Sequence, residues 1–341
     1  MNILIVRLGA LGDVVHTIPA VAALRAARPE ARIDWLVEAR HRAMVDLVDG
    51  IDRVITIEGR SIAGWAAALR QVRQVTYDAA FDFQGLMKSA VLARASGARR
   101  VAGFSVWHLR EKSARAFYSE TSAALGDDDA GHVIQKNLSL LEVIGVSSDR
   151  IEFPLKPAAS PALERVRQAR GDAAFALINP GAAWPNKRWP AERYGELAAV
   201  LRDVRSLDSL VLWGPGEEAL AAAVVEASAG AASMAPATNV ADLVALARAA
   251  SLIVSGDTGP LHIAAAVGTP AVSLYGPTNP SRNGPWSKAD RTLSRFEGCS
   301  CHYKRACEAQ SWCLGGVTVA EVTAAVLQRL AMPVPRTGGP A

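Results

Sequence analysis

The chain alternates short apolar runs with longer stretches in which apolar residues have helical spacing. In the first half, the runs begin at residues 2, 33, 52, 79 and 99, with the sequences "NILIV", "IDWLVE", "DRVITI", "AAFDF" and "RRVAGF". Such runs predict buried strands, and segments such as "LMKSAVLARASG" between them predict helices. A further helix is expected from Ile18, with Thr17 as its N-cap and Pro19 in its first turn. The alternation predicts a parallel sheet.

A break rich in proline and alanine, residues 154–162, separates two such halves. After it, "FALIN", "SLVLWG", "SLIVSG" and "AVSLYG" predict strands, and Thr318 and Glu321 form a capping box for a last helix. The chain length also suits two domains of about 150 residues each. We therefore predict an α/β fold of two Rossmann-like domains, residues 1–158 and 159–332, followed by a disordered tail at 333–341.

Composition narrows the possible partners. Half of the residues are hydrophobic, and the net charge is only +4. This mild basicity argues against an obligate nucleic-acid binder and suits an anionic substrate or an anionic lipid surface. No apolar run approaches the ~18 residues of a membrane span, and the N-terminus has no basic leader. We therefore expect a cytoplasmic protein with reduced thiols.

Two glycine-containing loops that follow strands carry the first candidates. In "RLGALGDVVHT", Asp13 either acts as a general base or caps local backbone N–H groups. In "NPGAAWPNKRWP", Lys187 either neutralises a phosphate or is simply exposed, and Arg188 competes for the same role. Ligands of open α/β sheets bind at the carboxyl ends of strands, where both loops are expected. With two such domains, the natural site is a cleft between them.

Two further segments add candidate hydrogen-bond donors and acceptors. In "WGPGEEALA", Glu217 or Glu218 either binds ribose hydroxyls or only favours a helix N-terminus. In "VSGDTGPLHIAAAVGTPAVSLYGPT", a helix is predicted to begin at Pro260, so that N–H groups of Thr258 and Gly259 face an anion. Asp257 in that turn would repel a phosphate unless it orders the loop or contacts a sugar or a lysine.

All four cysteines fall within one short segment, "CSCHYKRACEAQSWC". Four thiols so close together can bind zinc or iron tetrahedrally, in which case the metal is structural and not catalytic. Buried reduced thiols or one disulfide are the alternatives. The predicted ligands are Cys299, Cys301, Cys307 and Cys313.

Taken together, these segments resemble glycosyltransferase family 9, the bacterial ADP-heptose:lipopolysaccharide heptosyltransferases. The resemblance rests on "RLGALGDVVHTIPAVAALR", "PGAAWPNKRWP" and, most specifically, the run from "DTGPLH" to "YGPT". In the first half, "YDAAFDFQGLMKSAVLAR" and "HVIQKN" are similar to the heptosyltransferase I branch. The cysteine segment looks more like other branches of the family.

The resemblance implies a GT-B fold of two Rossmann-like domains facing a cleft, with the acceptor on the first and the nucleotide sugar on the second. In this family the last helix commonly packs back across the hinge, and the resemblance implies the same for this chain. It makes Asp13 the catalytic base and Lys187 the group that meets the diphosphate. The implied donor-binding residues are Glu218 (with Glu217 as the alternative), Asp257, Thr258, Gly259, His262 and Gly181. The cationic candidates for acceptor binding are Arg60, Lys88, Arg110, Lys112 and His132.

The function implied is inverting transfer of heptose from ADP-heptose to the Kdo of Kdo₂-lipid A, in lipopolysaccharide core biosynthesis. No cofactor is expected for catalysis, no nucleic acid is expected as a partner, and contact with the cytoplasmic face of the inner membrane is expected to be peripheral. Alternatives are another family 9 enzyme (heptosyltransferase II-like or protein-modifying), a nicotinamide-dependent oxidoreductase, and a non-catalytic nucleotide- or sugar-binding module. Against the oxidoreductase, no GxGxxG motif follows the first strand.

Overall fold

The computed structural model describes residues 1–122, 131–307 and 312–332, so the tail predicted at 333–341 lies outside the described residues. The chain divides into two compact units, Met1–Pro157 and Ala158–Ala341. Each unit contains one six-stranded sheet in which all neighbouring strands are parallel.

The first unit has the strand order β3-β2-β1-β4-β5-β6. Its strands are β1 (Asn2–Val6), β2 (Arg32–Glu38), β3 (Arg53–Ile57), β4 (Ala79–Asp82), β5 (Arg100–Gly103) and β6 (Glu120–Thr121). Its helices are α1 (Leu11–Ala27), α2 (Arg42–Asp46), α3 (Ile62–Val72), α4 (Met87–Ala95) and α5 (Val133–Leu140). The residues of β1 from Ile3 to Val6 are fully buried, as expected for a strand covered on both faces.

The second unit has the strand order β12-β11-β10-β7-β8-β9. Its strands are β7 (Phe175–Asn179), β8 (Asp208–Val211), β9 (Ala232–Met234), β10 (Leu252–Gly256), β11 (Ala271–Tyr275) and β12 (Arg291–Ser294). Its helices are α6 (Pro161–Arg170), α7 (Ala191–Arg205), α8 (Glu218–Ala227), α9 (Val240–Ala249), α10 (Gly259–Ala266), α11 (Pro280–Asn283) and α12 (Val319–Leu330). The last helix, α12, packs on α7, β11 and β12.

The predicted start of the first helix is wrong. The helix begins at Leu11, seven residues before Ile18, so Thr17 and Pro19 lie inside it. Pro19 removes one backbone donor, which costs about 3 kcal/mol in a helix interior. The helix tolerates this because its inner face is fully buried, with Val14, Val15, Ile18, Val21 and Leu24 at 0% exposure. Each such side chain contributes about 1.5–3 kcal/mol on burial, which outweighs the proline.

The sequence pattern missed three strands, all at or near an edge. These strands, β6, β9 and β12, have two to four residues and carry polar or partly exposed positions. Short polar edges leave no apolar run to detect, and they also keep a sheet from pairing with other chains. The capping box of the last helix is confirmed, because the Thr318 side chain accepts a hydrogen bond from Glu321 N at 3.2 Å.

Candidate active site

Asp13 lies at the third position of α1, just after the loop that leaves β1. Its Oδ1 is 2.8 Å from Arg7 Nη2, and its Oδ2 accepts a hydrogen bond from Ala10 N at 3.2 Å. The Arg7 side chain is 6% exposed, whereas the Asp13 side chain is 41% exposed. A buried cation and the helix end therefore fix the carboxylate from its inner side, and its outer side is exposed to solvent.

Gln84 fixes the loop before Asp13 from the end of the neighbouring strand β4. Its Oε1 accepts hydrogen bonds from Leu8 N at 3.1 Å and Gly9 N at 3.2 Å. Gln84 N in turn donates to Asp82 Oδ1 at 2.9 Å, and Tyr118 Oη donates to Asp82 Oδ2 at 2.7 Å. Burial raises the pKa of Asp82, although the Tyr118 hydrogen bond opposes the shift. A buried hydrogen-bond network thus holds the glycine loop.

The cationic candidates of the first unit have different local roles. Lys88 Nζ lies 3.1 Å from Glu38 Oε1, so its charge is partly compensated. His132 caps α5, where its Nδ1 accepts a hydrogen bond from Ile134 N at 3.2 Å. The remaining three candidates, which have exposed side chains, are Arg60, Arg110 and Lys112.

Asp257 is the centre of the site in the second unit. It follows the last residue of β10 and is 8% exposed. Its Oδ2 lies 2.5 Å from Lys187 Nζ and accepts a hydrogen bond from Thr278 Oγ1 at 2.8 Å. Its Oδ1 lies 3.2 Å from His262 Nε2 and accepts a hydrogen bond from Asn283 Nδ2 at 2.8 Å. Four groups, from the Lys187 turn, α10 and the stretch that follows β11, therefore converge on one carboxylate.

These partners keep Asp257 ionised. Burial alone would raise the pKa of this carboxyl, but the hydrogen bond with His262 and the charge of Lys187 hold its pKa far below its usual range. A carboxylate with so low a pKa is a poor proton acceptor, and all its oxygens are already engaged. Asp257 therefore fits an orienting role and not that of a base.

Lys187 projects from a short loop, residues 184–188, which we call the Lys loop. Residues Pro185–Lys187 form a single 3₁₀ turn. The Lys187 ammonium lies 4.6 Å from the centroid of the Trp184 ring, at a distance that suits a cation–π contact. The backbone rests on the end of β10, because a Cβ on Gly256 would lie 2.7 Å from Lys187 O. Only glycine lets the two backbones approach so closely.

The turn between β10 and α10 presents a helix N-terminus beside this pair. Thr258 is the N-cap of α10, which begins at Gly259, one residue before the predicted start at Pro260, and Pro260 lies in its first turn. Asn179, the last residue of β7, donates from its amide to Thr258 Oγ1 at 2.9 Å and to Ser255 Oγ at 3.0 Å. The Asn179 contacts fix the Thr258 hydroxyl next to backbone N–H groups that can bind an anion.

The two candidate glutamates differ in position. Glu217 lies against the loop after β7, because a Cβ on Gly181 would overlap Glu217 Oε2. The same Oε2 accepts a hydrogen bond from Gly214 N at 3.1 Å, and Oε1 is 3.9 Å from Arg188 Nη2. Glu218, the first residue of α8, is exposed. The geometry favours Glu217, the alternative of the two, as the carboxylate of this site.

The family model of Glycosyltransferase family 9 (heptosyltransferase) matches residues 65–313. The chain belongs to glycosyltransferase family 9. The matched segment includes the Lys loop, Glu217 and the whole set of groups around Asp257. Membership in this family makes the chain a glycosyltransferase and removes the oxidoreductase alternative.

Curated relatives and solved structures agree with this assignment. The chain is 29% identical to lipopolysaccharide heptosyltransferase 1 of Pseudomonas aeruginosa, over 91% of this chain and 88% of that protein. It is 28% identical to the enzyme of the same name from Escherichia coli K12, over 84% of this chain and 92% of that protein. The structure of E. coli heptosyltransferase WaaC with ADP is similar, with a TM-score of 0.77, 25% identity and coverage of 96% and 100%. A family 9 structure from Veillonella parvula, at 22% identity and a TM-score of 0.81, confirms the fold, with coverage of 96% and 97%. The predicted GT-B fold is therefore confirmed.

The cysteines of this family 9 enzyme do not support the predicted metal site. Within residues 1–122, 131–307 and 312–332, no group of three or more His, Cys, Asp or Glu side chains is arranged to hold a metal ion. Cys299 and Cys301 are buried with their sulfurs 3.4 Å apart, Cys307 and Cys313 are half-buried, and none of these four described cysteines is in a disulfide. Burial raises the pKa of the Cys299 thiol above its usual value.

Sequence reasoning missed several polar residues that hold the candidate groups. Most stand at or just after the carboxyl end of a strand, which is the signal that could have found them. They are Arg7, Gln84, Asn179, Thr278 and Asn283. In the described part of this glycosyltransferase, no helix has the length and apolar character needed to cross a bilayer.

Proposed function

We propose that this glycosyltransferase moves a heptose from ADP-heptose to the Kdo of Kdo₂-lipid A in the lipopolysaccharide inner core. The observation that carries the proposal is the buried pair of Lys187 and Asp257 beside the N-terminus of α10. Two relatives named lipopolysaccharide heptosyltransferase 1 support it. Similar heptosyltransferase structures contain ADP or ADP-2-deoxy-2-fluoro heptose, which supports the ADP-sugar donor.

On the donor side, the chemistry required is stabilisation of a leaving diphosphate. The Lys187 ammonium has three N–H donors, and Asp257 occupies one of them at 2.5 Å. The other donors can meet phosphate oxygens together with the Thr258 hydroxyl and the N–H groups that open α10. These groups strengthen their contacts as negative charge moves onto the diphosphate, which lowers the barrier. We propose that Glu217, which lies against the loop after β7, accepts hydrogen bonds from the ribose hydroxyls.

On the acceptor side, Asp13 is the proposed base. Its carboxylate takes the proton of the acceptor hydroxyl while that oxygen forms a bond to the anomeric carbon of the heptose. The bond from the anomeric carbon to the diphosphate oxygen breaks, and ADP leaves with the electron pair. Attack opposite the leaving group inverts the anomeric configuration. Lys187 and the helix end supply the positive charge, so we propose that catalysis needs no metal ion.

The acceptor itself is anionic, through Kdo carboxylates and lipid A phosphates. Exposed Arg60, Arg110 and Lys112 are proposed to bind these groups, and contact with the cytoplasmic face of the inner membrane is proposed to be peripheral. Replacing Arg110 and Lys112 by alanine should raise KM for Kdo₂-lipid A and leave KM for the donor unchanged. The matched control is alanine at Arg28 and Arg150, two other exposed arginines of the first unit. An equal KM effect in both double variants would contradict the acceptor role.

The decisive experiment reads product masses by mass spectrometry. The protein is incubated with ADP-heptose, ADP-glucose or GDP-mannose, and with Kdo₂-lipid A or the same acceptor already carrying one heptose. We expect one heptose to be added to Kdo₂-lipid A from ADP-heptose. Transfer only to the heptosylated acceptor would instead favour a heptosyltransferase II-like activity, for which a relative named lipopolysaccharide heptosyltransferase 2 is 26% identical. No transfer with any combination would contradict the proposal.

A further inference from the structure

The cysteine segment, residues 299–307 and 312–313, lies directly against the Lys loop. Asn186 Nδ2 donates to Lys304 O at 3.0 Å and to Cys301 Sγ at 3.7 Å. At the other end of the loop, Trp312 Nε1 donates to Arg188 O at 2.8 Å. The residues on either side of Lys187 are therefore both tied to the same segment. Asn186 is only 5% exposed, so its amide is a buried link.

The cysteine segment is itself anchored, so it can serve as a fixed support. Tyr303 N donates to Pro277 O at 2.8 Å, next to the Thr278 that contacts Asp257. The His302 ring stacks on Phe296 with centroids 4.0 Å apart, and His302 Nε2 donates to Phe296 O at 2.6 Å. These contacts join the segment to the loop that follows β11 and to the chain just after β12.

Close packing removes the remaining freedom of the Lys loop. A Cβ on Gly276 would lie 2.9 Å from Cys313 Sγ and 3.4 Å from Asn186 O. On another side, the Lys187 carbonyl rests on Gly256, where a Cβ would lie 2.7 Å away. The loop is thus held between the ends of two strands and the cysteine segment, and its own 3₁₀ turn supplies few constraints.

We propose that Asn186 is a positioning residue for Lys187, and that the cysteine segment is the support through which it acts. The inference rests on the proposed function, because it presumes that the Lys187 ammonium meets the donor diphosphate. A displacement of about 1 Å at a catalytic group can reduce the rate about 100-fold. The Asn186 amide therefore acts on the reaction only by fixing where the ammonium lies, and the thiols act by packing and not by binding metal.

A double-mutant cycle on the full-length enzyme tests this inference. The variants are Asn186→Ala, Lys187→Ala and the double variant, assayed under single-turnover conditions with ADP-heptose and Kdo₂-lipid A. We expect Asn186→Ala to lower the rate about 10- to 100-fold, with KM for the donor changed less. In the Lys187→Ala background, the same substitution should have no further effect, because there is no ammonium left to position.

Two further variants keep the test decisive. Asn239→Ala is the matched control, since Asn239 caps α9 and can lower Tm without touching the Lys loop. Trp312→Phe removes the hydrogen bond to Arg188 O together with part of the ring, and a smaller rate loss of about 3-fold is expected even if Asn186→Ala folds poorly. If Asn186→Ala and Lys187→Ala lower the rate by independent factors in the cycle, the inference about Asn186 is overturned. The same holds if Asn186→Ala loses no more rate than Asn239→Ala. Neither result would contradict the proposed role of Lys187. A Lys187→Ala variant as active as the wild type would overturn the proposed role of Lys187 as well.

Discussion

Lys187 Nζ and Asp257 Oδ2 lie 2.5 Å apart, and the two side chains are only 15% and 5% exposed. A pair so well buried loses much hydration, and its attraction offsets that loss only while both partners are present. The pair therefore links the stability of the second unit to the chemistry of the proposed donor site, and each partner can be probed separately.

Asp257→Asn should reduce both stability and activity. The substitution keeps the shape of the side chain and leaves the Lys187 charge uncompensated, which typically costs about 3 kcal/mol. Urea unfolding measures the loss in free energy, and turnover with ADP-heptose measures the loss in rate. In the double variant with Lys187→Met, the loss in stability should be smaller than the sum of the single losses. Simple addition of the two losses would show that the pair is not coupled.

The same carboxyl should make stability fall in mild acid. Its pKa in the folded protein lies below the value of about 3.9 in the unfolded chain, so its contribution is fully present above that pH. As the pH falls from 5 to 3, the unfolded chain takes up a proton that the folded protein does not, so the contribution begins to be lost, and the loss continues below pH 3 because the folded pKa lies much lower. The difference in unfolding free energy between wild type and Asp257→Asn should therefore become smaller over this range. If the two plots of unfolding free energy against pH ran parallel, the lowered pKa of Asp257 would be contradicted.

Asp13→Asn should remove the proposed base without unfolding the protein. The amide oxygen can still accept the hydrogen bond from Ala10 N, but it cannot take a proton from the acceptor. General-base catalysis contributes roughly 100- to 10,000-fold, so turnover should fall by that amount while thermal stabilisation by ADP is retained. Asp49→Asn, at an exposed position of the same unit, is the control. Turnover close to that of wild type would assign the base to another group.

Adjacent glutamates give a matched comparison for donor binding. Glu217→Gln should raise KM for ADP-heptose about 10-fold, because a hydrogen bond to a charged group is typically worth about 1.5–3 kcal/mol. Glu218→Gln should leave KM unchanged, since that side chain is exposed at the start of α8. Steady-state kinetics at saturating acceptor measure both. The reverse order of effects would restore Glu218 as the ribose ligand.

Treatment with EDTA should leave the rate unchanged. We expect this because Lys187 and the N-terminus of α10 supply the positive charge that a divalent ion would otherwise bring to the diphosphate. The measurement compares turnover before and after dialysis against chelator. Loss of activity that added Mg²⁺ restores would end the proposal of metal-independent transfer.

The sequence predicted the inner strands of both sheets because buried strands such as β1 and β10 read as continuous apolar runs, whereas the short edge strands β6, β9 and β12 do not. It failed at the start of α1, where the burial of Val14 and Val15 outweighed the signal of Pro19. Propensity is a local property, whereas this burial depends on residues far along the chain.

The candidate groups were predictable where a charge stands next to a glycine loop, as at Asp13 and Lys187. The residues that hold these groups in place were not predictable, because each of them acts through contacts between distant segments of the chain. Gln84 reaches Leu8 across 76 positions, and Asn179 reaches Thr258 across 79. The pairing of Asp257 with Lys187 was one of several options that the sequence left open. Thiol spacing alone suggested a metal at the cysteine segment, although the folded arrangement does not provide one among the described residues.

The glycines at the ends of β10 and β11 have a practical consequence for engineering. Gly256 and Gly276 make room for the Lys187 carbonyl and the Cys313 sulfur, so the surface of one segment is shaped to the other. If the Lys loop alone were replaced by that of a homologue, its backbone would pack against glycines and a cysteine segment whose shape fits the original loop. Chimeras that aim to alter donor preference should therefore exchange residues 184–188, both glycines and the cysteine segment as one module.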